Sequence, residues 1–227
     1  MARASASTVR KRIEELRKET GWGNAELVGL LRQRGGGGSK GATWERDFCK
    51  LLGEWWCGRD DVFWRAAASG ARAAQRAATG AATYGQHGDI AATDPAGAPL
   101  VDTFCIELKR GYNEHTIMDC IDRAPNAKAQ EFEAHLQQTI DAQEVSGVPY
   151  WLLVTSRTRR VPVVWLPDNA RRALIRVGAW AGGRPIPWVS LDMEIRGFGR
   201  RRFHCTTLNN WWDGVTPAHI LELAATI

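Results

Sequence analysis

Glu107 and Lys109 stand two residues apart in the run F-C-I-E-L-K-R, residues 104 to 110. Side chains on a strand alternate with period two, so a strand here sends the carboxylate and the ammonium to one face. The neighbours Phe104, Cys105, Ile106 and Leu108 are apolar. A bare surface ion pair does not suit such surroundings, because unpaired charge is avoided there. A second carboxylate, Asp89, precedes this run in a short strand-like stretch, G-D-I-A-A-T at 88 to 93. The Pro- and Gly-containing stretch 94 to 99 reads as a turn, so 88 to 110 is expected to form a hairpin that lays Asp89 beside Glu107. Two converging carboxylates make a hard-oxygen site that suits Mg²⁺ or Mn²⁺ and not zinc. Such an ion can hold a phosphate oxygen and lower the pKa of a water. Lys109 beside it could orient the water, assist its deprotonation or stabilise charge on a pentacovalent phosphate. As a base it would need burial or neighbouring charge to lower its own pKa.

These residues need a scaffold, and the periodicities supply one. Trp44, Phe48, Leu51, Leu52 and Trp55 recur at helical spacing and predict an amphipathic helix over 43 to 56. Residues 62 to 69 read as a strand, and 69 to 88 as a long Gly-rich loop. Residues 101 to 110 are the next strand. Phe132, Leu136 and Ile140 mark a helix over 127 to 145. Strands follow at 150 to 156 and 161 to 166, and a short helix at 168 to 177. After 180 the chain is rich in Pro and Gly, with short strands. A helix at 217 to 225 closes the sequence, with Pro217 in its first turn. The expected fold is α/β, with a mixed central sheet flanked by helices.

The first 34 residues form a separate unit by pattern. Val9, Ile13 and Leu16 follow a capping Thr8, and Leu27, Leu30 and Leu31 follow Asn24, which predicts two short helices. This arm suits part of a helix-turn-helix, a dimerisation arm or a docked hairpin. Residues 35 to 40 begin G-G-G-G-S and read as a flexible linker, natural or introduced. The expected division is arm 1 to 34, linker 35 to 40, core 41 to 166 and a C-terminal extension 167 to 227 packed on the core. The chain has 227 residues, is 44% hydrophobic and 24% charged, and carries a formal net charge of +5. That excess favours a polyanionic partner. No apolar run of about 18 residues predicts a membrane span, and the first residues lack the apolar centre of a secretory signal. Five scattered cysteines without a CxxC pair imply free thiols in a reducing, cytoplasmic compartment. The pairs Trp55-Trp56 and Trp211-Trp212 suit either core packing or an interface. His87, His115 and His204 show no ligand spacing.

The segments G-D-I at 88 to 90 and I-E-L-K at 106 to 109 resemble the PD-(D/E)xK nuclease superfamily, with Gly88 where that family usually carries Pro. S-K-G-A-T-W-E-R-D-F-C-K-L-L at 39 to 52 is similar to the first helix of archaeal-type Holliday junction resolvases. F-W-R-A-A-A-S-G at 63 to 70 is similar to their second segment, a strand running into a Ser-Gly loop. The resemblance covers roughly 39 to 166. It implies a restriction-endonuclease-like core in which Asp89, Glu107 and the Leu108 backbone carbonyl hold Mg²⁺, with Mn²⁺ also supporting activity. It adds Glu45 to the metal site, places Ser69 on a loop near the scissile phosphate and makes Lys109 catalytic. Arg65, Arg72 and Arg76 flank that loop. With Lys40 and Arg110 they are expected to contact the DNA backbone. A Gln followed four residues later by Tyr, the signature of exonucleases related to the phage lambda enzyme, is absent. Gln130, Gln137 and Gln138 are followed instead by Ala134, Asp141 and Ala142. The implied activity is a structure-specific endonuclease that cuts a four-way junction as a homodimer, since paired cuts in a two-fold symmetric substrate need two symmetric sites. A duplex endonuclease of restriction or nicking type, with base readout after 167, and an inactive DNA-binding module remain as alternatives.

Overall fold

The computed structural model describes residues 40–66, 88–111, 114–122, 128–181, 188–195 and 197–227, with side chains from 43 onward. The expected arm, the linker through residue 39, the loop with Ser69, Arg72 and Arg76, and His87 lie outside the described residues, as does the side chain of Lys40.

Helix α1 (Lys40–Cys57) buries the stripe read from its spacing, Trp44, Phe48, Leu51, Leu52 and Trp55, together with Cys49 and Trp56. Strands β1 (Phe63–Arg65) and β2 (Ile90–Ala92) pair antiparallel, with Trp64 opposite Ala91 and Arg65 opposite Ile90.

The expected hairpin over 88 to 110 does not form. Asp94 caps a 3-10 turn (Pro95–Gly97) through its side chain, which accepts from the Ala96 N–H. Helix α2 (Ala98–Thr103) follows, with Pro in its first turn and Leu100 and Val101 buried. Asp at a cap and Pro at a first helical position are helix-start signals, and at this short length they resemble turn chemistry. Only then does β3 (Phe104–Arg110) begin. Gly88 bridges Ile106 in parallel sense. A parallel contact needs such a crossover, which a two-residue hairpin cannot supply.

The other elements are α3 (Met118–Ile121), α4 (Glu131–Ser146), β4 (Tyr150–Ser156), β5 (Val163–Pro167), α5 (Asp168–Arg176), β6 (Val189–Ile195), β7 (Gly199–Thr207), α6 (Leu208–Gly214) and α7 (Pro217–Ala224). The five-stranded sheet has the order β3-β4-β5-β7-β6. β3 and β4 are parallel and the other pairs antiparallel, so the sheet is mixed. Residues beyond 167 thus supply β6 and β7 to this same sheet.

Each sheet face carries its own apolar cluster. One joins α1, α6 and α7 to Phe104, Ile106 and Leu108. The other joins α4 to Cys105, Leu153, Trp165 and Phe203. The tryptophan pairs belong to the first cluster, and the Trp55 and Trp212 rings stack at 6.1 Å. Their reading as an interface is therefore corrected to core packing. His204 is also structural: its ring bonds Ser190 Oγ at 2.8 Å and Asp168 Oδ1 at 2.9 Å, tying β6 and β7 to α5. The cysteines among the described residues are free, and no helix there is long and apolar enough to cross a membrane.

Candidate active site

The alternation of β3 divides its side chains as the sequence requires. Phe104, Ile106 and Leu108 enter the α1 cluster, while Cys105 enters the α4 cluster. Glu107 and Lys109 share the parity of Cys105 and face α4. The Lys109 Nζ lies 2.8 Å from Glu107 Oε2 and 3.8 Å from Asp89 Oδ2. Both carboxylates are almost fully buried, Asp89 at 3% and Glu107 at 2% exposure. The three expected residues are therefore together, although the expected hairpin is not what unites them.

Backbone contacts fix Asp89. Its N–H donates to the Ile106 carbonyl at 2.8 Å, and its own carbonyl accepts from the Ala66 N–H at 2.9 Å. Its Oδ2 accepts from the Leu108 N–H at 2.8 Å. The preceding Gly88 has φ +76°, and a Cβ there would stand 2.5 Å from the Ile106 oxygen. Proline is locked near φ −65° and cannot adopt this conformation. The chain therefore brings its backbone against β3 through a left-handed residue, which Gly supplies without strain. On a strand the N–H and C=O of one residue project from the same edge. The Leu108 carbonyl therefore leaves β3 on the side of Asp89, beyond the point where pairing with the Gly88 segment ends.

Burial raises the Glu107 carboxyl to about 7, the Asp89 charge adds to the rise, and Lys109 opposes it. Two buried carboxylates against one ammonium leave the site short of positive charge. The donor set is all hard oxygen, Asp89, Glu107 and the Leu108 carbonyl, and it fits a divalent cation. Mg²⁺ commonly takes one or two carboxylates and completes its shell with waters and substrate phosphates. Among the described residues no group of three or more His, Cys, Asp or Glu could hold a metal ion.

Glu45 and Arg65 meet each other. Arg65 Nε donates to Glu45 Oε2, an ion pair that ties α1 to β1. Glu45 nonetheless lies near the site: its charge and that of Asp89 both push up the Cys49 thiol, which burial raises first, to about 12. Arg110 ends β3 half-buried, with parity opposite to Lys109.

Helix α4 contributes two further groups. Gln138 Nε2 donates to Glu107 Oε2 at 3.2 Å, on the oxygen that also receives Lys109. A recess of about 140 Å³ beside Lys109 includes His115, His135, Thr155, Arg157 and Trp165 in its walls. Burial first, aided by the Lys109 and His115 charges, holds the His135 ring down at about 4, so it is neutral near pH 7. Helical spacing puts His135 three residues past Phe132 and on its buried face, whereas Gln138, two residues past Leu136, is exposed and falls off that stripe. Periodicity could therefore signal His135 alone, and nothing in the spacing names Glu107 as the partner of Gln138.

A family model described as "Phage putative PDDEXK endonuclease" matches residues 37–222. The chain belongs to this family. The match runs from α1 into α7, so it takes in the β6–β7 strands that the resolvase resemblance does not cover. The mixed sheet flanked by helices agrees with the restriction-endonuclease-like fold of PDDEXK enzymes. Family membership makes the chain a nuclease that acts on DNA, of a kind that generally uses divalent metal ions. No curated protein and no solved structure matches it.

Proposed function

We propose that this PDDEXK protein is a Mg²⁺-dependent DNA endonuclease, with Mn²⁺ as a competent substitute. Asp89, Glu107 and the Leu108 carbonyl hold the ion, and Lys109 serves the attacking water. The observation that carries this reading is the burial of both carboxylates on one sheet face with the Lys109 Nζ between them. The ion, when bound, supplies positive charge to a phosphate oxygen and lowers the pKa of water. The chain's own residues do the rest. The two carboxylates hold the Lys109 ammonium in place, where it can donate to charge developing on the phosphate. Gln138 donates to the same Glu107 oxygen as Lys109 and helps to orient that carboxylate. Glu45 holds Arg65 at the end of β1, and Arg65, Arg72, Arg76, Lys40 and Arg110 contact the DNA backbone.

The substrate we put first is a four-way junction cut by a homodimer, on the likeness of 39 to 52 and 63 to 70 to resolvases. A duplex endonuclease is the second reading. The β6–β7 hairpin with Arg200, Arg201 and Arg202 favours it, because a two-stranded ribbon fits the major groove. The test is a cleavage assay in Mg²⁺ and in Mn²⁺ on end-labelled junction, flap, duplex and single strand, with Lys109→Ala as control. Paired symmetric nicks confined to the junction, and lost in the variant, support the resolvase. Cuts at defined duplex sequences support the second reading. Absence of cleavage on all four DNAs in both metals overturns the catalytic assignment.

A further inference from the structure

Trp64 is 49% exposed, while every other tryptophan among the described residues is buried or half-buried. A single exposed apolar side chain is ordinary on a protein surface. The face that it occupies is what matters here. On β1, Phe63 enters the α1 cluster and Arg65 reaches Glu45 on α1, so Trp64 between them points to the opposite face. On β2, Ile90 enters the same cluster, so Asp89 and Ala91 point to that opposite face too. This is the face on which Glu107 and Lys109 stand. Trp64 pairs directly with Ala91, which makes Asp89 its diagonal neighbour, and such positions lie about 7–8 Å apart, within reach of an aromatic side chain.

The cover over this face is uneven. Helix α4 packs on β3 and β4 and supplies Gln138 to the site. Among the described residues it makes no comparable contact with β1 or β2. Among the described residues the catalytic face is therefore covered by α4 on one side of Glu107 and uncovered on the other, where it presents an indole. Trp64 makes no ring or hydrogen-bond contact among the described residues.

We propose that Trp64 is a stacking platform for an unpaired base of the DNA strand being cut, on the β1–β2 half of the face that carries Asp89 and Glu107. The proposal rests on the nuclease reading and names a substrate class within it: strands with unpaired nucleotides near the scissile phosphate. An indole face meets any base, whereas paired bases in a duplex are stacked on each other and offer only their edges. At the ~3.4 Å rise per nucleotide of a duplex strand, a gap of about 7–8 Å corresponds to about two nucleotides.

The test compares wild type, Trp64→Ala and Trp64→Phe as full chains. Equilibrium binding is measured in EDTA to a single strand, a duplex and a flap with unpaired bases. Cleavage kinetics of the single strand or flap are measured in Mg²⁺. The expected result is a fall of about tenfold in the ratio of single-strand to duplex affinity in Trp64→Ala, as removal of one stacking aromatic produces. KM rises with little change in kcat, and Trp64→Phe restores most of the loss. Photocrosslinking of the wild type to a single strand carrying 5-iododeoxyuridine keeps the test decisive if Trp64→Ala folds poorly. Adducts on the Trp64 peptide are expected. An unchanged affinity ratio overturns the proposal, as do adducts that fall only on other peptides. Equal losses on all DNAs with a lowered Tm overturn it in favour of an indole that packs against the chain itself. Failure of the nuclease reading has a different signature, a wild type that cleaves neither these substrates nor a four-way junction.

Discussion

Replacing Glu107 by Gln should stabilise the metal-free protein at alkaline pH while abolishing cleavage. The Glu107 carboxyl is raised from its ordinary value of 4.5 to about 7, first by burial and then by Asp89. Its folded pKa lies above its unfolded one, so the neutral form is the one the fold favours. The stability associated with that neutral carboxyl is fully present below about 4.5 and is lost as pH rises through about 7. A difference of two to three pKa units corresponds to roughly 3 kcal/mol, at about 1.36 kcal/mol per unit. Relaxation and water entry reduce this, and about 2 kcal/mol is the working expectation. For a chain of this size that is a Tm gain of about 4–8 °C. The assay is thermal unfolding of wild type and Glu107→Gln in EDTA at pH 5 and at pH 8. The variant should gain at pH 8 and much less at pH 5. Adding Mg²⁺ should then raise the Tm of the wild type and not that of the variant, since ligand binding to the folded state stabilises it. A variant equally or less stable than wild type at pH 8, or a Tm gap independent of pH, would refute the reasoning.

Lys109→Ala should lower kcat by about 10²–10³, the usual cost of removing one donor aimed at developing charge, while DNA binding in EDTA persists; a gel shift beside a cleavage time course checks both. Gly88→Ala introduces a Cβ at 2.5 Å from the Ile106 oxygen at a φ of +76°, so Asp89 must move. Activity should fall sharply, and stability by about 1–3 kcal/mol in urea unfolding. Trp212→Ala removes an indole that stacks on Trp55 in the core, and should cost about 3–5 kcal/mol by the same measurement, with no change in oligomeric state.

Much of the site is local in origin. Glu107 and Lys109 share a face because a strand alternates, and no distant residue is needed to know it. The apolar stripes of α1 and α4 obey the helical period, and β4 and β5 are short apolar runs between turn signals. The segment 94 to 103 misled because two prolines and a capping Asp in ten residues serve a turn and a short helical crossover equally. The β6 and β7 strands carry little apolar signal because much of each is exposed, with Arg200, Arg201 and Arg202 facing solvent where β7 runs past the end of β5.

The sequence by itself therefore determined which residues could do chemistry, the parity that joins Glu107 to Lys109, and the helices beneath and above them. Backbone periodicity is set within a few residues, so one segment suffices to read it. Only the tertiary structure decided that Asp89 arrives through a parallel contact at Gly88, that Glu45 engages Arg65, that Gln138 bonds Glu107, and that burial raises the Glu107 carboxyl. Each of these depends on desolvation or on partners far apart in the chain, and neither is encoded in the spacing of neighbours.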